Sequence, residues 1–437
     1  MLKSKNLLLL ALLACIACSV SAQSDSPYSR YGYGVLKDKA VGPSKSMGGI
    51  GYGLRNSMSA NPLNPASYSR VDSLTFLFDI GVSSTFGSLK DDVNKENKAS
   101  GGLDYITILV PLKKGLGLSF GVVPFSSVGY KFESVEETGS VAYLKSYNGS
   151  GGLSQVYGGL GYSTPIDGLS VGANASFLFG SINHVRSLPT IAGTEGSVVT
   201  NTSSEYTEFS VKAIRFDIGA QYEMPVSKNK RLTIGAVYTP KTNASADYTN
   251  RHYEISSSGS LVNENIITHN DVDAGLPETF GLGFTINQSN KLIYGVDATY
   301  QKWKNTDYTE YMGDGLSKSD RFNDRWKLNA GLEYMIDPYD RSFFKKIKFR
   351  GGVNYSNSYL NAVNSEGKID GYREYGATFG FGLPIRDNLG GRISYMNLNF
   401  EYKKLKPKIS NMVSEEYYGI SLNVNINELW FFRRKVE

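Results

Sequence analysis

Cysteine, histidine and long apolar runs are all scarce in this chain of 437 residues. Both cysteines, Cys15 and Cys18, lie in the stretch of residues 1–22 at the amino terminus. Removal of that stretch would leave no thiol, which excludes disulfides and thiolate catalysis. Three histidines leave little material for a histidine-based catalytic or metal site. Mean hydropathy is −0.27 and no apolar run of about 18 residues follows the amino-terminal stretch, which excludes a polytopic helical membrane protein.

The charge is too balanced for a nucleic-acid-binding protein, because 46 basic residues are offset by 41 acidic ones for a net charge of +5. Aromatic residues and glycine are abundant instead, with 30 Tyr, 21 Phe and 47 Gly, and this aromatic content excludes intrinsic disorder. The amino terminus combines Lys3 and Lys5, an apolar stretch over residues 7–17 and small residues before Gln23. This pattern predicts a secretory signal peptide over residues 1–22.

Apolar and polar residues alternate with a period of two through most of the remaining chain. In residues 214–222, for example, Ile214 and Phe216 share one face, and Arg215 and Asp217 share the other. The pattern predicts fourteen strands, at residues 72–86, 102–112, 115–127, 151–163, 168–185, 206–223, 231–244, 277–287, 291–304, 324–337, 346–358, 372–384, 389–403 and 416–428. Short turns alternate with longer polar links, which we expect to be loops, at residues 87–101, 128–150, 186–205, 245–276, 305–323, 359–371 and 404–415.

This sorting of the links is typical of an up-and-down barrel in the outer membrane, with short turns on the periplasmic side and long loops outside. A soluble sandwich would show the same alternation within strands but has no reason to sort its connections. We therefore predict an all-β protein whose residues 72–437 form a 14-stranded antiparallel transmembrane β-barrel in the cell outer membrane. Lipid offers no hydrogen-bond partner to an open sheet edge, so the sheet must close on itself.

The barrel prediction assigns the charged strand residues to the lumen, because a basic group at the bilayer midplane costs ~2–4 kcal/mol on the lipid face. The residues expected to point inward are Asp79, Arg215, Asp217, Asp297, Glu333, Arg350 and Arg392. Aromatic residues near strand ends are expected in the interfacial belts, at Tyr162, Tyr222, Trp303, Trp326 and Trp430.

Residues 23–71 contain no amphipathic strand pair of membrane length. Gly, Ser, Asn and Pro dominate this segment and are interleaved with Tyr28, Tyr31, Tyr33 and Tyr52. Two interpretations remain open from composition alone: a compact plug (hatch) inside the lumen, or a periplasmic tail. A barrel of this size can leave a water-filled channel when nothing occludes it, so the position of this segment separates a gated transporter from an open pore.

Four pieces of the chain together resemble the long-chain fatty-acid transporter family of outer-membrane proteins (FadL/TodX-like). They are Met47-Gly48-Gly49, Asn64-Pro65-Ala66, the third strand GLGLSFGVVPFSSVGY (115–130) and LPETFGLGFTI (276–286). The resemblance implies an amino-terminal hatch, a 14-stranded barrel and a kink in the third strand that opens the wall to the membrane. The chain departs from the family in its polar, charged loop at residues 128–150 and in its basic carboxyl terminus after Trp430.

The resemblance also assigns the candidate site residues. The hatch and ligand residues are Met47, Gly48, Gly49, Ile50, Asn64, Pro65 and Ala66, and the residues of the strand kink and lateral opening are Gly121, Pro124, Phe125 and Gly129. Proline in mid-strand marks a bulge or a break, because it has no N–H for a ladder. An alternative is that Pro124 simply ends the strand at the membrane surface. We expect Gly121 and Gly129 to supply the dihedral freedom that a kink needs.

The function implied is passive uptake of hydrophobic small molecules, of the fatty-acid or aromatic-compound class, by lateral diffusion through the barrel wall. One alternative is a secretion-system shuttle or structural docking protein that binds a protein partner through its extracellular loops, and a general porin is a third. We expect a monomer in contact with outer-membrane lipid, with no cofactor, metal or nucleic acid. G-x-S-x-G occurs around Ser119 and Ser170, but both lie in predicted strands and not at a nucleophile elbow, so no catalytic residue is assigned.

Overall fold

The structure is a computed structural model that describes residues 26–91, 95–138, 141–192, 198–256, 258–311, 316–363, 366–386 and 392–429. The predicted signal peptide and Trp430 lie outside the described residues. The long strands, numbered here in chain order, are β1 Thr75–Lys90, β2 Lys95–Lys113, β3 Leu116–Thr138, β4 Val141–Ser163, β5 Leu169–Ala192, β6 Val198–Ser227, β7 Lys230–Thr239, β8 Ser245–Ile255, β9 Leu261–Asp273, β10 Glu278–Gln288, β11 Leu292–Lys302, β12 Arg325–Met335, β13 Lys348–Asn357, β14 Tyr372–Arg386, β15 Ile393–Pro407 and β16 Ser414–Leu429.

Short elements complete the chain. Two-residue and three-residue strands lie at Val35–Leu36, Thr309–Tyr311, Leu316–Lys318, Ala362–Val363 and Ile369–Asp370. Single 3-10 turns lie at Pro27–Arg30, Gly42–Met47, Pro65–Arg70, Trp303–Asn305 and Phe344–Lys346. Among the helices that the structure describes, none has the length and apolar character needed to span a bilayer.

The long strands form one closed antiparallel barrel with fourteen strand positions around its circumference, which confirms the predicted fold class. β1 pairs with β2 on one side and with β16 on the other, so the sheet has no end. β7 and β8 lie end to end along β6 and together occupy one strand position. β9 pairs with β8, and β10 pairs with β7. β9 and β10 therefore occupy the next strand position. Closure satisfies the backbone hydrogen-bonding groups that lipid cannot.

The fourteen predicted strands are all present, but several predicted loops are wrong. Much of residues 128–150 and 186–205 continues as strand, in the hairpins β3–β4 and β5–β6. Cross-strand pairing continues to Thr138 with Val141 and to Ala192 with Val198. These segments are polar, and a polar strand that pairs with its neighbour gives the same sequence signal as a loop.

The two faces of the wall separate apolar from charged side chains, as predicted. Ile214 is 60% exposed toward lipid, whereas its neighbour Arg215 is only 4% exposed. The inward carboxylates and guanidinium groups are buried at Asp79, Asp217, Asp297, Glu333 and Arg350. Tyr162, Tyr222 and Trp326 are exposed on the outer face, whereas Trp303 is 1% exposed and lies in the interior, so its assignment to the aromatic belt is wrong. Trp303 begins a 3-10 turn at the end of β11, and this turn directs the ring inward.

Residues 26–71, the lumen segment, contact strands on opposite sides of the barrel. The turn Pro65–Arg70 packs against β3, β4, β5 and β6, and the turn Gly42–Met47 packs against β12, β13, β14 and β15. The segment therefore lies within the lumen. Its side chains join three buried clusters, which contain Tyr33, Tyr68 and Tyr28 respectively.

Candidate functional site: the lumen segment and a seam in the wall

Asn64, Pro65 and Ala66 form the start of a 3-10 turn that is attached to the wall. The Asn64 side chain accepts a hydrogen bond from the Ala66 N–H at 3.1 Å, which caps the turn, and Pro65 occupies the first helical position. The same side chain donates from its amide to the Tyr52 carbonyl at 2.8 Å and to the Ala220 carbonyl of β6 at 3.1 Å. One asparagine thus joins two parts of the lumen segment to the barrel.

Residues 47–50 form a tight turn against the opposite wall. Gly48 and Gly49 have φ values of +67° and +83°, in the left-handed region that favours glycine. The Gly48 N–H donates to Thr378 Oγ1 at 2.9 Å, and the Asn329 amide donates to the Gly49 carbonyl at 2.9 Å. Met47 and Ile50 are fully buried. The structure thus brings residues 47–50 and 64–66 into one lumen segment that is hydrogen-bonded to both sides of the barrel.

Inward-facing glycines of the wall make room for this segment. A Cβ at Gly235 would lie 1.8 Å from the Tyr52 carbonyl oxygen, and one at Gly331 would lie 2.1 Å from the Met47 carbonyl oxygen. Any larger residue at these positions would displace the lumen segment. The sequence analysis did not single out these glycines, although their regular placement on inward strand positions is a usable signal.

A charged strap, defined here as residues 35–45, crosses the lumen between three parts of the wall. Lys39 pairs with Asp217 of β6 at 3.2 Å, Asp38 pairs with Lys327 of β12, and Lys45 pairs with Asp104 of β2. Enclosure within the barrel opposes ionisation of Asp38, but the adjacent Lys327 ammonium outweighs it and holds the pKa of this carboxyl below its usual range. The strap is therefore tied to the wall by ion pairs at three points.

Lys37 differs from its charged neighbours in the strap. It forms no ion pair within 4.0 Å among the described residues, and its side chain faces a cavity. Enclosure by the barrel, followed by repulsion from Lys403, lowers the pKa of the Lys37 ammonium to about 8.

The wall is not paired along its whole height. The ladder between β2 and β3 ends at the pair Ile106–Val122, although both strands continue outward beyond it. Above that point, among the described residues, β2 pairs only with β1, and β3 pairs with β4 and with the lumen segment. We call this unpaired stretch between β2 and β3 the seam.

The seam begins beside a bulge in β3. The pairing with β4 shifts between Pro124 and Ser126, so Phe125 is the extra residue. The strand continues past Pro124 to Thr138, so Pro124 does not end it. Pro124 has no N–H with which to continue a ladder toward β2.

The lumen segment occupies the inner side of the seam. Val35–Leu36 pairs with Ser126 and Ser127 of β3 as a short antiparallel strand. Below this pair, the Lys37 N–H donates to the Phe125 carbonyl at 2.9 Å. Further out, the Ser26 N–H donates to the Gly129 carbonyl at 2.7 Å. The edge of β3 that leaves β2 is thus hydrogen-bonded to the amino-terminal chain.

The glycines that allow the distortion of β3 are not those expected from the sequence. Gly121 and Gly129 do not have positive φ values, whereas Gly151 and Gly152 of β4 have φ values of +107° and +146°. Gly180 of β5 has a φ of +144° and continues the distortion into a third strand. In the sequence, this distortion is indicated by the cluster Gly149-Ser150-Gly151-Gly152, which pairs with β3 just past the bulge.

An aromatic cluster around Tyr33 fills part of the lumen. Tyr33 is completely buried, and its ring lies 5.0 Å from that of Tyr308 and 5.9 Å from that of Trp303. Its hydroxyl donates to the Gly275 carbonyl at 2.9 Å. Phe125 joins the same cluster, with its ring 6.4 Å from that of Tyr33. The bulge residue Phe125 is therefore part of this aromatic cluster.

Two internal cavities adjoin the strap. The seam cavity has a volume of about 140 Å³ and reaches both edges of the seam, at Asp104 and Pro124. The central cavity also has a volume of about 140 Å³ and extends to Phe125 and Trp303. Lys37 of the strap and residues of the barrel strands line both cavities. The lining of the seam cavity combines apolar residues, at Val35, Val41, Val123, Pro124 and Leu405, with charged residues, at Lys37, Asp38, Lys45, Asp104, Glu401, Lys403 and Glu415.

The closed barrel has the fold of FadL homologues, in agreement with the resemblance seen in the sequence. Solved structures share this fold. A Pseudomonas aeruginosa FadL homologue is 13% identical, with a TM-score of 0.63 over 90% of this chain and 99% of its own. The P. putida toluene transporter TodX is 15% identical, with a TM-score of 0.59 over 92% of this chain and 99% of its own. The Ralstonia pickettii toluene transporter TbuX is 16% identical, with a TM-score of 0.58 over 89% and 98%.

The chain belongs to the BamG family, because the model of that family matches residues 1–437. A comparison with curated proteins finds no match.

Proposed function

We propose that this protein passively admits hydrophobic small molecules, of the fatty-acid or aromatic-compound class, by lateral diffusion through the seam between β2 and β3. The observation that carries the proposal is the end of the ladder at Ile106–Val122 with the seam cavity directly behind it. A ligand that leaves through the seam moves its apolar surface into lipid without crossing water. The transfer stabilises it by ~25 cal/mol per Å² of apolar surface, so no energy source is required.

The lining of the seam cavity favours an amphipathic ligand within this class. Val123 and Pro124 offer apolar contacts to a chain, whereas the same cavity is lined by charged residues of both signs, which favour a polar end group: Lys37, Lys45, Lys403, Asp38, Asp104, Glu401 and Glu415. A ligand without any polar group would leave these charges without solvent. Fatty-acid-like molecules therefore fit the lining better than unsubstituted aromatic hydrocarbons do.

Closure of the passage is assigned to the lumen segment, which we propose acts as the hatch. The three ion pairs of the strap and the buried Tyr33 fill the space that a diffusion pore would need. This contact around the wall disfavours a general porin. Deletion of residues 24–60 should raise ion conductance in planar bilayers, and unchanged conductance would contradict the hatch.

The lateral route is tested by replacing the proline at the bulge. Pro124→Val restores an N–H and should let β3 pair with β2, which would slow uptake of a fluorescent fatty acid into protein-containing liposomes several-fold. Pro225→Val is the matched control, because Pro225 also precedes a register shift but lies at the opposite end of the wall, near the turn between β6 and β7. Equal uptake by both variants and the unaltered protein, at equal folded fractions in SDS gels, would contradict a lateral route.

A second function, as a secretion shuttle or docking barrel that transports nothing, is favoured by the same ion pairs. Replacing Asp38, Lys39 and Lys45 together with alanine separates the two functions. If the strap is a gate, the variant should take up the fluorescent fatty acid faster than the unaltered protein. If the barrel is only an anchor, uptake should be absent in both proteins and a stoichiometric protein partner should co-purify with both.

A further inference from the structure

The hairpin formed by β8 and β9 stands outside the regular barrel wall. β8 pairs with β6 on one side and with β9 on the other. Among the described residues, β9 pairs only with β8, so its second edge carries backbone N–H and C=O groups without a neighbouring strand. The base of the hairpin is fixed, because Tyr248 and Val272 belong to the buried cluster around Tyr33. The Ala274 N–H also donates to the Ala244 carbonyl at 2.9 Å.

The free edge of β9 is regular and uncovered. Its pairing with β8 is continuous from Asn263 to His269, and residues 261–268 are all exposed. Apolar β-branched side chains lie along it, at Val262, Ile266 and Ile267. Natural edge strands are usually protected by lysine or proline, and residues 245–273 contain neither. A bulge between His269 and Val272 bends only the base of the strand.

The hairpin is acidic although the whole chain is basic. Residues 245–273 carry Asp247, Glu254, Glu264, Asp271 and Asp273 against a single arginine, Arg251, which pairs with Glu264. The net charge of the chain is +5. Two copies joined through this edge would bring like charges together, which is destabilising. A partner segment with basic residues would complement the hairpin.

We propose that the edge of β9 binds an extended, basic segment of another protein by adding it as a further strand to the extracellular sheet. Main-chain hydrogen bonds to residues 263–269 supply the pairing, and alternate side chains of the added strand contact Ile266 and Ile267 on the two faces. The acidic residues of the hairpin select a basic segment over an acidic one. This inference is independent of the uptake function, because the edge of β9 is not part of the seam between β2 and β3.

The test uses the full-length mature barrel in nanodiscs and a fluorescent peptide of alternating lysine and valine. The peptide should bind, and it should slow amide hydrogen exchange at residues 263–269. A peptide with glutamate in place of lysine should not bind. A peptide methylated on alternate backbone nitrogens should not bind either, because it cannot complete the ladder.

Matched variants separate edge pairing from general charge attraction. Asn265→Lys with Ile267→Lys places two lysines on the edge and should weaken binding of the basic peptide by about tenfold or more. Ser258→Lys with Ser260→Lys adds the same charge at the exposed tip and should weaken it far less. A third variant that replaces residues 250–267 by Asn-Gly keeps Tyr248 and Val272 and should abolish binding.

Three results would overturn the proposal. Equal binding of the methylated peptide would show that no strand is added. Equal loss of binding in the edge and tip variants would indicate unspecific charge attraction. A dimer of the unaltered protein in nanodiscs that the edge lysines dissociate would assign the edge to a second copy of this chain.

Discussion

The two halves of the barrel wall differ in their regularity. From β10 through β16 and back to β1, the ladders between described residues run without a shift of register. In the first half, shifts follow Pro111, Pro124, Pro189 and Pro225, in β2, β3, β5 and β6. In the second half, Pro384 of β14 pairs with Tyr395 without a shift.

The two halves therefore differ in role. The second half only closes the sheet, whereas the first half also forms the seam. Alternation of side chains is sufficient for the second half, which forms a uniform wall fixed by buried charges. In the first half, proline removes ladder donors, glycine permits the distorted backbone around the bulge, and the lumen segment fills the edge that results. The seam therefore lies in the half of the barrel where the sequence interrupts the ladder.

The largest expected effect is a loss of stability in the regular half of the wall. Glu333 of β12 is buried and binds two cations of β13, Lys348 at 3.1 Å and Arg350 at 2.6 Å. Glu333→Ala leaves both cations buried without their anion, which should lower the free energy of unfolding by about 3–5 kcal/mol. Urea unfolding in lipid vesicles measures this loss. Glu428→Ala, at an exposed position of β16, is the control and should change little. Equal effects of the two substitutions would contradict a wall held by buried charges.

A smaller effect is expected in the distorted half. Gly151 has a φ of +107°, and a Cβ there would lie 2.2 Å from the Ser181 carbonyl oxygen of β5. Gly151→Ala should lower the free energy of unfolding by about 1–3 kcal/mol, because the alanine is strained and displaces β5. Gly158→Ala in the same strand meets no atom within 4 Å and is the matched control in the same urea titration. A neutral Gly151→Ala would show that the distortion of β4 is not a requirement of the fold.

The smallest expected effect concerns pH. The pKa of Lys37 is about 8 in the folded protein, below the ordinary lysine value of 10.5. The unfolded chain therefore binds more protons between these values, and the stability of the folded state should rise as pH increases through about 8 toward 10.5. Urea midpoints measured across this range should show the rise in the unaltered protein and a smaller rise in Lys37→Met. Identical pH profiles would exclude a contribution from Lys37.

Much of the regular half could be predicted from the sequence. The alternation around Glu333 and Arg350 locates both the strands and the inward charges, because lipid tolerates neither charge nor an open edge. The same reasoning places Pro124 in an irregular strand. These are local signals, since each depends on residues that are close in the chain.

The contacts of the lumen could not be predicted in the same way. Lys39 and Asp217 are 178 residues apart in sequence, and nothing in either neighbourhood specifies their pairing. Trp303 lies near a strand end, as interfacial aromatic residues do. Its ring nevertheless points inward, because Trp303 belongs to the turn after β11. The pairing of Val35–Leu36 with β3 depends on the bulge at Phe125, so it follows only once the shape of the wall is known.

The most direct test of the account is a reversible lock on the lumen segment at the seam. The predicted mature chain has no cysteine, so Leu36→Cys with Ser126→Cys introduces one disulfide between directly paired residues. Val353→Cys with Ala377→Cys places a matched disulfide in the regular half. Uptake of a fluorescent fatty acid into liposomes should stop when the first pair is oxidised and return on reduction, whereas the second pair should have no effect. Uptake that continues unchanged through the oxidised first pair would contradict the account.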